Sequence, residues 1–192
     1  MEKALIVKTL CELLLDDKKS DCIDFANTHY PFEASVAAKR NYSRYDQCRV
    51  FLRDGFKDRY SGEKLLFPGL IMLLSIELPE IFKYHKNWKM SETHLVYWQL
   101  FPTIDHVIPV ARGGKDIEEN WITTSMIRNA AKANWTTEEL GWKVHSKGDL
   151  NNWDGLASCF LELYEKYPLY SNNSYIKSWR KAFLKAREDI TL

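Results

Sequence analysis

The sequence has little glycine or proline, no excess of charge of one sign and no long uninterrupted apolar run. With 8 Gly and 6 Pro beside 45% hydrophobic residues, it is not a collagen-like, low-complexity or disordered chain. Its 27 basic and 26 acidic side chains give a net charge of +1 over 192 residues, which excludes a strongly basic protein but permits a local basic patch. The composition predicts a globular chain long enough to bury its own core.

Cysteine is also scarce, and its placement argues against a disulfide framework or a cysteine zinc site. The sequence has no CxxC pair and no tight cysteine cluster. Its four cysteines are Cys11, Cys22, Cys48 and Cys159. Scattered thiols of this kind are typical of proteins in a reducing cytoplasm.

The longest apolar stretch, residues 65–76, is too short to cross a membrane. Pro68, Gly69 and Ser75 interrupt it, whereas about 20 apolar residues are needed to span a bilayer. Residues 1–19 carry acidic side chains inside their apolar pattern and lack the small-residue cleavage site of a secretory signal. We therefore expect a soluble, cytoplasmic protein with no membrane partner.

Basic side chains concentrate in two segments of the chain. Residues 37–60 hold 7 basic and 3 acidic side chains, and residues 174–192 hold 5 and 2. The first segment falls in a predicted basic amphipathic helix over residues 33–53, where four arginines are spaced at i, i+4 in two pairs. These candidate contacts to a DNA backbone are Arg40, Arg44, Arg49 and Arg53. An ordinary solvated helix face is the alternative interpretation.

The segment with the most chemistry is residues 103–134. It predicts a strand ending at Asp105-His106, a Gly-Gly turn, a return strand over 120–124 and a helix carrying Asn129. A carboxylate and an amide oxygen suit a hard divalent cation that keeps several waters. A histidine suits general-base work at neutral pH. For Asp105 and His106 to serve one phosphate, the strand must end or bulge there, because successive strand residues point to opposite faces.

This segment resembles the HNH endonucleases, the ββα-metal nucleases, through the pattern DH…P…GG…N…NxxK. The resemblance implies that His106 is the general base and that Asp105 and Asn129 hold one Mg²⁺ or Mn²⁺. It also implies that the Asn120 side chain braces the hairpin loop and so fixes the catalytic histidine. Lys132, one turn beyond Asn129, either contacts a substrate phosphate or braces the site, and Arg112 in the turn is a second candidate phosphate contact.

A second resemblance comes with a departure. Residues 53–62, RDGFKDRYSG, look like a segment that precedes many HNH motifs and supplies two of four cysteine ligands to a structural zinc ion. The four aligned positions here are Asp58, Ser61, Ser125 and Arg128. Because arginine cannot be a ligand and serine is a poor one, we expect no structural zinc. We expect Asp58 to pair with Arg128 in its place.

The expected fold class is α+β, with a ββα-metal motif embedded in a mostly helical single domain. The expected regions are an N-terminal helical region 1–48, a nuclease core 49–136 with an insertion at about 63–102, and a C-terminal helical region 137–192 that resembles nothing we recognise. Two further helices are expected in that last region, near 154–166 and 174–188.

The expected function is metal-dependent endonucleolytic cleavage of DNA. The biological setting, whether restriction, homing, phage nicking or toxin, stays open. One HNH site cuts one strand, so double-strand cleavage requires a homodimer or sequential nicks. The alternatives are a DNA-binding module with a catalytically weak HNH fold and a structural protein that binds neither metal nor DNA.

Overall fold

The computed structural model describes residues 1–32 and 42–191, and from it we take the bounds of the regular elements. The helices are α1 (Lys3–Leu15), α2 (Lys19–His29), α3 (Arg44–Arg53), α4 (Pro68–Glu77), α5 (Val96–Gln99), α6 (Met126–Lys132), α7 (Thr137–Leu140), α8 (Ala157–Lys166) and α9 (Ser174–Thr191). The strands are β1 (Pro102–His106) and β2 (Trp121–Ser125). The fold is therefore α+β, as the sequence predicts.

The chain forms two compact units, Met1–Val36 and Ala37–Leu192, where the sequence predicts a single domain. In the first unit α1 contacts α2, and Ile6 and Cys22 are the residues that these helices bury. The expected regions 49–136 and 137–192 both lie in the second unit. Among the described residues, no helix has both the length and the apolar character that crossing a membrane requires.

The second unit is organised around the contact between α3 and α9. Phe51 of α3 stacks near Trp179 of α9, and Phe67, at the start of α4, packs edge-on against the same indole. The core also takes in the buried α4, part of the expected insertion, and the aromatic ring of Phe160 from α8. Because aromatic side chains bury large areas, this cluster forms a rigid support for the hairpin beside it.

The two strands form one antiparallel hairpin that continues directly into α6. Pro102 pairs with Ser125 at one end and His106 with Trp121 at the other. Ser125 is the N-cap of α6, and its hydroxyl accepts a hydrogen bond from the backbone N–H of Arg128. Strand, loop, strand and helix therefore follow in the expected order.

The basic helix begins later than the first residue predicted for it. Ser43 and Asp46 form a reciprocal capping box that starts α3 at Arg44. Residues 33–41, including the candidate DNA contact Arg40, lie outside the described residues. The observed helix ends at Arg53, before the left-handed Gly55.

Candidate active site at the end of the first strand

Asp105 and His106 close β1, and their side chains contact two different groups of residues. Both residues still pair in the ladder, Asp105 with Ile122 and His106 with Trp121, so the strand ends only after them and has no bulge between them. Both are nearly sealed from solvent, with exposures of 4% and 1%. Each is therefore held by its neighbours in one orientation.

His106 belongs to a cluster with Tyr42, Asp116 and Trp121. Its Nε2 lies 2.8 Å from Oδ1 of Asp116, 3.1 Å from the Tyr42 hydroxyl and 3.2 Å from the indole Nε1 of Trp121. The Trp121 N–H also donates to Oδ1 of Asp116 at 2.8 Å. With a proton on Nε2 shared with the carboxylate, Nδ1 is the nitrogen of neutral His106 with a lone pair to offer.

Asp116 remains charged while it holds His106. Burial alone would raise the pKa of this carboxyl, but hydrogen bonds from His106, Trp121 and Tyr42 outweigh it, and the pKa of Asp116 is lowered. An ionised carboxylate favours the tautomer with the proton on Nε2 and stabilises an imidazolium once a second proton arrives. This arrangement is what a histidine general base requires.

Asp105 is held by a buried lysine and a buried tyrosine. Its Oδ2 lies 2.9 Å from Nζ of Lys132 and accepts a 2.7 Å hydrogen bond from the Tyr60 hydroxyl. Burial, and then the charge of Asp105, raise the pKa of Tyr60, so the phenol keeps the proton that it donates. Both contacts use Oδ2 and leave Oδ1 of Asp105 without a protein partner among the described residues.

Lys132 is a brace in this structure, which is one of the two roles that the sequence allows it. Its side chain is fully buried, and Nζ donates to the His106 carbonyl at 2.7 Å as well as contacting Asp105. An ammonium group in this position does not reach a DNA phosphate. It neutralises Asp105 and fixes the last residue of β1 against α6.

Asn129 approaches the same strand end from α6. Its Nδ2 donates to the carbonyl of Ile104 at 3.1 Å, beside the peptide that leads to Asp105. The amide nitrogen is thus used in positioning the side chain. The amide oxygen, which is the atom a cation would need, makes no hydrogen bond within the described chain.

Three unpartnered atoms remain at this strand end: Nδ1 of His106, Oδ1 of Asp105 and Oδ1 of Asn129. In the described residues, the buried side-chain nitrogens and oxygens that lack a partner are Nε1 of Trp179 and Nε of Arg180. None of the three atoms is among them, although Asp105 and His106 as whole residues are almost fully buried. The site therefore fixes these side chains through one polar atom and leaves the other without a protein partner among the described residues.

The hairpin loop is braced by Asn120 in the way the sequence predicts. Its Oδ1 accepts from the Ile108 N–H at 2.9 Å, and its Nδ2 donates to the carbonyls of Ile108 and Lys115, both at 2.9 Å. A β-carbon at Gly114 would lie 1.9 Å from the Ile108 carbonyl oxygen, so only glycine allows this close approach. The loop that carries Asp116 is therefore held beside His106.

The expected pair between Asp58 and Arg128 is wrong. Asp58 is fully buried, and its carboxylate accepts four hydrogen bonds of 2.9 to 3.2 Å. The donors are the backbone N–H groups of Tyr60, Ser61 and Ser125 and the Thr124 hydroxyl. The Arg128 guanidinium lies instead over the indole of Trp142, 5.7 Å from the ring centre. Backbone donors satisfy the buried carboxylate better than one flexible side chain, because they come already fixed in the turn and the strand end. Asp58 thus connects the turn at Tyr60 and Ser61 to the end of β2 at Ser125. These are the two segments that a structural zinc ion connects in HNH endonucleases with four cysteines.

The candidate DNA-contacting arginines mostly make contacts within the protein. Arg44 bonds Ser178 and lies over the rings of Tyr175 and Trp179, in the contact between α3 and α9. Arg53 contacts Asp54 and donates to the carbonyls of Glu118 and Trp121, which ties α3 to the hairpin. These two arginines brace the fold.

Arg49 and Arg112 lie nearer the surface but are also paired. Arg49 forms a 2.9 Å ion pair with Glu118, and its side chain is 40% exposed. Arg112 lies 3.4 Å from Glu139 of α7 and over the Trp135 ring. Exposed pairs of this kind are weak and exchange readily for other anions, so both arginines remain candidates for phosphate contact.

Comparison of the chain with family models, curated proteins and solved structures gives no match. The chemistry of the strand end therefore has to be argued from its own residues.

Proposed function

We propose that this chain is a metal-dependent endonuclease of the HNH type, which hydrolyses DNA phosphodiester bonds. The observation that carries the proposal is the set of three open atoms at the end of β1. A general base needs a lone pair, and a hard cation needs oxygen ligands; these are the atoms that His106, Asp105 and Asn129 leave unpaired. The motif DH…N…NxxK supports the same assignment.

The donor set suits one Mg²⁺ or Mn²⁺. Asp105 offers a carboxylate oxygen and Asn129 an amide oxygen, and such ions keep water or phosphate oxygens in their other positions. Two protein ligands leave most of the ion's coordination positions to water or phosphate. The described residues contain no cluster of three or more His, Cys, Asp or Glu that would coordinate an ion by protein side chains alone. When bound, the ion supplies positive charge for the transition state and for the leaving oxygen.

His106 supplies the proton chemistry. Its Nδ1 takes a proton from the attacking water, whose oxygen forms the new bond to phosphorus while the bond to the 3′ oxygen breaks. Asp116 stabilises the resulting imidazolium through Nε2, and Asn120 keeps the loop that carries Asp116 in place. This assignment predicts products with 5′-phosphate and 3′-hydroxyl ends.

Plasmid cleavage by Asn129→Ala and by its control Asn134→Ala tests the metal site. Asn134 lies on the exposed segment just after α6 and shares the residue type without the contact to β1. Wild type is expected to convert supercoiled DNA to open-circular or linear forms with Mg²⁺ or Mn²⁺ and not with EDTA. Asn129→Ala is expected to be slower by at least about tenfold, with Asn134→Ala unchanged.

Two results would contradict the proposal. Cleavage that persists in EDTA would exclude the metal-dependent reaction. DNA binding without cleavage in either metal would favour the alternative, a DNA-binding module with the same fold and weak catalysis.

A further inference from the structure

A row of lysines runs along the exposed face of α9. Lys177, Lys181 and Lys185 follow each other at intervals of four residues, which places them on one side of the helix, and all three are exposed. None of them forms an ion pair with a carboxylate among the described residues. The positive charge on this face is therefore available to an outside anion.

The lysine row lines a shallow groove of about 390 Å³ between α9 and α8. Arg180 adds a fourth cation to its wall, and Glu188 contributes a carboxylate. Arg180 is fixed by Tyr164, whose ring lies 4.7 Å below the guanidinium, and by a 2.6 Å ion pair with Glu165. The groove thus carries a net positive charge on a rigid wall, which suits a polyanion.

The C-terminal end of the lysine row approaches the hairpin loop through α3. Nζ of Lys185 lies 4.6 Å from the centre of the Tyr45 ring, and the Arg49 guanidinium lies 5.9 Å from the same ring, whose hydroxyl bonds Asp189. Arg49 in turn pairs with Glu118, two residues beyond Asp116 in the hairpin loop. Two cations, Lys185 and Arg49, therefore lie between the rest of the row and the hairpin loop.

The row is long enough to span several phosphates of one DNA strand. Eight residues of helix separate the first and last lysines, which is about 12 Å at 1.5 Å per residue, so neighbouring lysines lie about 6 Å apart. One strand of B-DNA presents a phosphate about every 3.4 Å along its axis, and the row therefore covers about three and a half phosphate steps. The three lysines can thus contact phosphates spread along one strand.

We propose that the lysine row of α9 binds the DNA backbone beside the cleavage site. The C-terminal region would then contribute to DNA binding. This inference rests on the proposed function, since it places the same DNA across the hairpin and α9. The surface recognises phosphate and not base sequence, so its contribution to affinity is the same for every DNA sequence.

The test measures affinity for a labelled DNA duplex over a range of salt concentrations, in EDTA so that cleavage plays no part. The variant replaces all three lysines together: Lys177→Gln, Lys181→Gln and Lys185→Gln. Its control, with the same change of charge on exposed residues between α4 and α5, is Lys83→Gln, Lys86→Gln and Lys89→Gln.

The α9 variant is expected to flatten the plot of log affinity against log salt by about 2 to 3 units of slope, since each phosphate contact contributes about 0.9. The control is expected to keep the wild-type slope. Equal slopes for wild type and the α9 variant, or no DNA binding by wild type, would overturn the inference. A flattened slope in a protein that cleaves nothing would support the α9 surface and count against the nuclease, so the two proposals fail separately.

Discussion

Nε2 of His106 lies 2.8 Å from Oδ1 of Asp116, a residue ten positions further along the chain on the loop that the same strand enters. The carboxylate accepts at the same time from Trp121 and Tyr42, so its own position is fixed by two aromatic side chains. The histidine therefore has one nitrogen committed to a charged partner and the other without a protein partner among the described residues.

In the proposed mechanism Asp116 positions His106, so its removal should lower turnover without weakening DNA binding. We expect Asp116→Asn to reduce the cleavage rate by about ten- to hundredfold, less than the 10²–10⁴-fold typical of a general base itself. The control is Glu119→Gln, an exposed carboxylate three residues away on the same loop. Equal rates for Asp116→Asn and wild type, or a loss confined to DNA affinity, would show that Asp116 does not act through His106.

The lowered pKa of Asp116 also predicts a pH dependence of stability. A carboxylate whose pKa is lower in the folded protein contributes stability above its usual pKa of about 4, and that contribution is lost as the pH falls through the lowered value. Wild type should therefore have a higher melting temperature than Asp116→Asn at pH 7, and the difference should begin to shrink near pH 4 and disappear once the pH is below the lowered pKa of Asp116. A difference that persisted at lower pH would show that the contact does not depend on the charge.

Lys132 should matter first to folding, because its ammonium is buried against Asp105. We expect Lys132→Met to lower the free energy of unfolding by about 3–5 kcal/mol, the usual cost of leaving one buried charge unpaired. Adding Asp105→Asn should recover part of the loss, which denaturant titration measures. Lys115→Met, at an exposed lysine in the hairpin loop, should change stability by less than about 0.5 kcal/mol. A Lys132→Met variant that is as stable as wild type but binds DNA less tightly would show that Lys132 contacts a DNA phosphate and does not brace the fold.

Asp58 should be as necessary here as a structural metal is elsewhere. We expect Asp58→Ala to cost at least about 3 kcal/mol of unfolding free energy, because it strands several buried backbone donors at once. Asp24→Ala, at an exposed position on α2, is the control. EDTA should leave the wild-type melting temperature unchanged; a large decrease, or one zinc ion per purified chain, would contradict this account.

Local sequence patterns predict much of the fold around the site. The hairpin, the Ser125 cap and the loop brace from Asn120 all depend on residues within about 30 positions of each other, and each has a turn or capping signal of its own. The same holds for α8 and α9, whose apolar spacing is clear in the sequence.

The partners of the site residues were much harder to predict, because most come from distant parts of the chain. Tyr60 reaches Asp105 across 45 residues, and Tyr42 reaches His106 across 64. Asp116 has a usable signal, since a hairpin that closes at His106 and Trp121 returns its own loop to the histidine, and Lys132 has one in its spacing from Asn129. Helical spacing shows that arginines share a face but not which element covers it, so it predicts a DNA contact for Arg44, where the structure has a contact with α9.

The most direct measurement of the central claim is the rate at which His106→Ala cleaves supercoiled plasmid with Mg²⁺, beside wild type and the control His29→Ala. His29 is an exposed histidine at the end of α2. Loss of the general base predicts a rate at least about a hundredfold below wild type for His106→Ala and an unchanged rate for His29→Ala. Equal cleavage by wild type and His106→Ala, from protein that melts at the same temperature, would contradict the assignment of this strand end as the active site.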